Sequence, residues 1–251
     1  MLLCLAIIGS EKLFSFSPPS EFLLWLILAS CGQIVFTIVL GLAMDRKNFG
    51  TTIALSKTDA LQAALAESLL LGLYPDPKVT IAITIGCFAI LVIMTEDNVE
   101  GPSYSSARLQ AIMLGLLAGL CLGVCSVLFR LAMETLNHFD FLERAVLTSC
   151  LATILQTIVM GAFLLFLRPS ELLLCAASWR VSSFVGIIAA STTFLWFTAF
   201  GLMNVSSVRM LGQIEILLSF LAGFWLFKER VALRECFGAA MIMASICLLL
   251  Y

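Results

Sequence analysis

The sequence predicts an all-α polytopic membrane protein, an inverted repeat of five-helix units whose first copy is incomplete. Three observations predict it. Of its residues 61% are hydrophobic and 12% are charged, whereas soluble domains carry about 25% charged residues, so too little polar surface exists for a soluble globule. Apolar stretches recur along the chain at about 20 residues, the length that crosses a hydrocarbon core. Two of those stretches also carry the same polar interruption at matching depth. The first, TTIALSKTDALQAALAESLLLGL, holds Lys57 and Asp59; the second, SSVRMLGQIEILLSFLAGFWLF, holds Gln213 and Glu215.

Eight full spans are expected, near 21–44, 50–73, 77–95, 108–133, 142–167, 181–203, 206–227 and 231–251. Polar or helix-breaking residues separate them: Asp45 to Asn48, Tyr74-Pro75-Asp76-Pro77, Gly101-Pro102, Asn137 to Asp140, Arg168-Pro169, Asn204-Val205-Ser206 and Lys228-Glu229-Arg230. Proline ends one helix or starts the next because it lacks a backbone donor. Met1–Gly9 is a further apolar remnant, too short to span, and it lacks the basic start and small-residue cleavage pattern of a signal peptide.

The repeat emerges when the spans are aligned. Gly41-Leu42 matches Gly201-Leu202, the Ser56–Asp59 helix matches the Leu211–Glu215 helix, and Gly86 matches Gly238. Residues 1–100 form the incomplete first copy, about three and a half spans, and residues 101–251 form the five-span second copy. An odd number of spans per copy inverts one copy relative to the other, as in many secondary transporters. By that logic the first helix and part of the second are missing. The chain is therefore expected to be truncated or to begin at a misassigned start.

The stretch GQIEILLSFLAGFWLFKERVALRECFGAAMIMASICLLL resembles the end of an EamA-type transporter of the drug/metabolite transporter superfamily. It carries a loop glutamate, Glu229, followed nine residues later by a helix glycine, Gly238. ALSKTDALQAAL resembles the equivalent helix of the N-terminal EamA repeat, although Tyr74-Pro75-Asp76-Pro77 stands where the family usually has Gly-Glu. The resemblance implies a ten-helix exporter with a central cavity, moving metabolites, amino acids or drugs across a bacterial cytoplasmic (inner) membrane. Loop charges leave the orientation undecided. Lys12, Lys78, Arg130, Arg144 and Arg209 fall on the side that the family arrangement makes cytoplasmic, and a larger basic set falls opposite.

An ionisable side chain near the bilayer centre costs roughly 2.5–3.5 kcal/mol on insertion scales, so such residues mark functional candidates. Asp59 and Glu215 are the expected substrate or proton sites, joined on the pathway by Lys57, Gln213, Gln62, Glu67 and Trp196. A carboxylate in low-dielectric surroundings can exchange protons near neutral pH, as proton coupling requires. On an unbroken helix Lys57 and Asp59 stand about 200° apart, whereas Asp59 and Gln62 share a face. The structural alternative is that Lys57 pairs with an acid on a neighbouring helix and locks the packing. Gln33 and Gln156 fit interhelical hydrogen bonds, and the Gly115, Gly119, Gly123 series fits close helix packing.

Other classes find little support. His138 is the single histidine, with no ligand-spaced partner, and no nucleophile elbow or phosphate loop is present. The cysteines lie mostly in apolar stretches and read as inert, reduced thiols. No enzyme activity, cofactor, metal or nucleic acid is expected. The expected partners are the lipid bilayer, a small organic solute, exchangeable protons and a second copy in a homodimer. The resulting expectation is a secondary carrier whose repeats rock about a midplane cavity lined by Asp59 and Glu215. The alternative is a non-transporting membrane protein, either an accessory subunit or an inactive remnant.

Overall fold

The computed structural model describes residues 16–44, 49–93, 102–222 and 233–250, and every regular element among them is helical. In chain order these are α1 (Ser20–Met44), α2 (Phe49–Ser56), α3 (Asp59–Leu70), α4 (Pro77–Ile93), α5 (Pro102–Glu134) and α6 (Phe141–Leu167). They continue with α7 (Pro169–Ala177), α8 (Trp179–Leu202), α9 (Val205–Gly212), α10 (Ile214–Ala222) and α11 (Leu233–Leu250).

The spans expected near 21–44, 108–133, 142–167 and 181–203 each contain one helix long and apolar enough to cross a membrane. Those near 77–95 and 231–251 contain the shorter apolar helices Pro77–Val92 and Cys236–Leu250. The remaining two differ from expectation. Instead of continuous helices, the 50–73 stretch is α2 followed by α3, and the 206–227 stretch begins as α9 followed by α10. The Met1–Gly9 remnant and Glu229 lie outside the described residues.

Local chemistry sets several boundaries. Asp140 and Glu143 form a capping box that opens α6, the Glu143 carboxylate accepting the Asp140 N–H at 3.2 Å. Pro169 occupies the first turn of α7, where a missing N–H costs nothing. Gly72, at φ 65°, takes the left-handed conformation that ends α3 and lets Leu73 N–H return to Glu67 O at 3.4 Å.

Two compact units divide the chain: one from Met1–Cys31 and Leu128–Met203, the other from Gly32–Val127 and Asn204–Tyr251. In the first, α6 packs on α8. The Phe129 and Phe197 rings lie 4.8 Å apart, and Arg130 donates to Met203 O, just past the end of α8, at 2.8 Å. Outward positions such as Ile158, Phe166, Val181, Phe184 and Ile187 are exposed and apolar, as lipid-facing helix surfaces are.

In the second unit α4 packs on α11, and α9 packs on α3. Its core joins Ala60 and Ala64 of α3, Ile83 and Ile90 of α4, Met210 of α9, Ile216 of α10 and Ile242 of α11. The close packing expected of the α5 glycines is present. A Cβ on Gly115 would stand 2.7 Å from Thr52 O, one on Gly119 3.0 Å from Ser56 O, and one on Gly123 2.8 Å from Asp59 O. α5 therefore lies backbone against backbone along both α2 and α3, and Thr52 Oγ1 donates to Ala111 O across that seam at 3.2 Å. Such contact needs small residues.

Candidate functional site

The site begins with the two helix breaks. At the first, the Ser56 hydroxyl donates to Ile53 O at 2.8 Å and the Thr58 hydroxyl to Leu55 O at 2.7 Å. Thr58 N–H also turns back three residues to Leu55 O at 3.2 Å. These bonds compete for carbonyls that a continuing helix would use, and α3 restarts at Asp59. At the second, Gln213 N–H reaches Met210 O at 3.1 Å and Ile216 N–H reaches Gln213 O at 3.0 Å, a tightened three-residue pattern just after Gly212. The interruptions are Lys57-Thr58, between α2 and α3, and Gln213, between α9 and α10. Because the helix is interrupted, the 200° separation expected of Lys57 and Asp59 does not apply.

Charged side chains from one break meet those of the other. Lys57 Nζ pairs with the Glu215 carboxylate, and Arg209 Nη1 lies 3.5 Å from Asp59 Oδ2. Arg209 Nη2 also donates to the Ser126 hydroxyl of α5. The pairs differ in exposure: the Lys57 and Glu215 side chains are 28% and 52% exposed, those of Arg209 and Asp59 14% and 6%. Two cations and two anions thus form a balanced cluster, with one pair accessible and the other enclosed.

Two glutamines flank the cluster. Gln62 donates to Thr58 Oγ1 at 3.3 Å and to Leu116 O at 3.4 Å, while its Oε1 has no hydrogen-bond partner among the described residues. Gln213 is buried without a full hydrogen bond at either end of its amide, beside the Cys87 thiol, a weak partner. Each amide oxygen lies over a glycine. A Cβ would stand 2.9 Å from Gln62 Oε1 at Gly119, and 2.7 Å from Gln213 Oε1 at Gly86.

Glu67 stands apart from this cluster, at the other end of α3. Its carboxylate is buried and accepts Val205 N–H at 2.6 Å, Ser206 N–H at 3.1 Å and the Ser206 hydroxyl at 2.6 Å. It therefore satisfies the first free N–H groups of α9, the positive end of that helix dipole. Trp196 belongs to the other compact unit, its ring 5.8 Å from that of Phe200.

Arg209 is a correction to the sequence reading. Expected as a loop charge, it lies within α9, half-buried against Asp59. The signal was available: it precedes Gln213 by one helical turn inside the same stretch. Among the described residues no three His, Cys, Asp or Glu side chains are grouped to hold a metal, and every described cysteine is a free thiol.

Four helices long and apolar enough to cross a bilayer mark an integral membrane protein. The chain belongs to the EamA-like transporter family, whose profile matches residues 109–251, more than half its length. A protein solved by crystallography shares the fold, with a TM-score of 0.71 at 14% identity, covering 99% of this chain and 81% of that one. No curated relative matches the chain.

Proposed function

We propose that this chain is a secondary carrier that exports small organic solutes, such as amino acids, related metabolites or drugs, across a bacterial inner membrane. One observation carries the reading: two apolar stretches are each broken into two helices, and charges beside one break engage those beside the other. Discontinuous helices are where secondary transporters build substrate and ion sites, because unwound backbone there can face a cavity. The inverted relation of residues 1–100 to residues 101–251 belongs to the same proposal.

The two pairs have different roles. Asp59 and Arg209, enclosed and tied to Ser126, hold the breaks together. Lys57 and Glu215 form the accessible pair that a solute replaces. A solute bearing both charge signs offers each of them a new partner, whereas a singly charged one leaves Lys57 or Glu215 unmatched. Gln62 and Gln213 supply hydrogen-bonding groups at the breaks.

The test compares metabolites inside and outside cells that express the chain, its Glu215→Gln variant or an empty vector. The proposal expects one solute class to accumulate outside only with the unmodified chain. Matching profiles in all three cultures, with membrane insertion verified, would support a non-transporting membrane protein instead.

A further inference from the structure

Asp59 and Glu67 sit at opposite ends of α3, eight residues or roughly 12 Å apart along the axis, and both hold α9. Glu67 takes the α9 N-terminus at Val205 and Ser206, and Asp59 takes Arg209. The two helices therefore run antiparallel and are fastened at two points, with Ala60, Ala64 and Met210 packed into the core of the same unit. Both fastenings are charge-assisted and shielded from solvent, Glu67 being 2% exposed and Asp59 4%. Such bonds are the stronger kind, and parting them strands a buried charge.

We propose that Glu67 is a positioning residue. It fixes the start of α9 on α3, which keeps Arg209 on Asp59 and makes α3 and α9 one rigid block. Movement then occurs at the breaks, Lys57-Thr58 and Gln213, where the more exposed Lys57–Glu215 pair separates. Thr58 and Gln213 N–H there already turn back only three residues, and a few residues at element ends are what absorb a hinge motion. Assigning the breaks as the moving parts rests on the carrier reading; the block itself does not.

The experiment is residue-resolved amide hydrogen exchange on the full chain in vesicles of phosphatidylethanolamine and phosphatidylglycerol. It needs no solute, so a failure of the carrier reading leaves its result intact. The expected result is slow exchange at a common rate across α3 and α9, with the amides of residues 57–59 and 213–216 at least tenfold faster. Glu67→Gln should speed exchange across α9 at least tenfold while leaving α4 unchanged. Glu67→Asp, which keeps the charge, should restore part of the protection. Should Glu67→Gln fail to insert, Ser206→Ala removes one of the carboxylate's partners and should give the same pattern in smaller measure. Unchanged α9 exchange in the variants, or break amides as slow as α3 and α9, would overturn the proposal.

Discussion

The two broken helices keep their charges in different places. At the α2–α3 break, Lys57 and Asp59 sit at the interruption itself; at the α9–α10 break the neutral Gln213 sits there, with Arg209 a turn before it and Glu215 two residues after. The charges on each helix find partners on the other helix, Lys57 with Glu215 and Asp59 with Arg209. The offset separates an enclosed pair from an accessible one. Enclosed pairs resist the removal of one partner far more than accessible pairs do.

The largest expected effect is at the enclosed pair. Asp59→Leu or Arg209→Met leaves its partner buried and uncompensated, and each should cost about 3–5 kcal/mol of stability. The double variant should recover most of that loss, because both charges are then gone. Unfolding in detergent micelles checks this, and a double variant as unstable as the singles would remove the distinction between the pairs.

A smaller effect separates the supports of the two breaks. Gly119→Ala drives a methyl toward backbone oxygens of α2 as well as Gln62, and overpacking of this kind costs about 1–3 kcal/mol. Gly86→Ala meets chiefly the Met210 thioether end and the Gln213 amide, and flexible Met can move aside, so it should cost less. Gly161→Ala, with open space around it, should be neutral or stabilise by up to about 1 kcal/mol. The same unfolding measurement ranks all three.

The accessible pair should matter little to stability. Lys57→Met and Glu215→Gln should each change stability by no more than about 1 kcal/mol, yet abolish movement of the solute. Loss of stability comparable to that at Asp59 would make Lys57 and Glu215 a packing lock.

Much of this was legible in the sequence because bilayer thickness imposes a length on every span. The polar anomalies at Lys57, Asp59, Gln213 and Glu215 were visible against their apolar surroundings. The breaks were not read from them, because a polar residue inside an apolar stretch is equally compatible with an unbroken helix, although Ser56, Thr58 and Gly212 are residues that favour helix ends. Glu67, read as a pathway residue, engages the start of α9; an acid at a span's end carries no mark of whether a solute or another helix meets it. Arg209 was missed because a charge just after a polar loop reads as part of that loop. The packing of α9 on α3 and the Ser126 hydroxyl of α5 enclose it.

Lys57 and Glu215 are proposed to form an exchangeable pair on the solute pathway. The most direct test reconstitutes the chain in vesicles with the solute identified by the metabolite comparison, and measures efflux for Lys57→Glu, Glu215→Lys and the two combined. Each single reversal should stop efflux, since it sets like charges together, and the combined exchange should restore a measurable part. Efflux unaffected by the single reversals, or no better in the combined variant than in either single one, would contradict it.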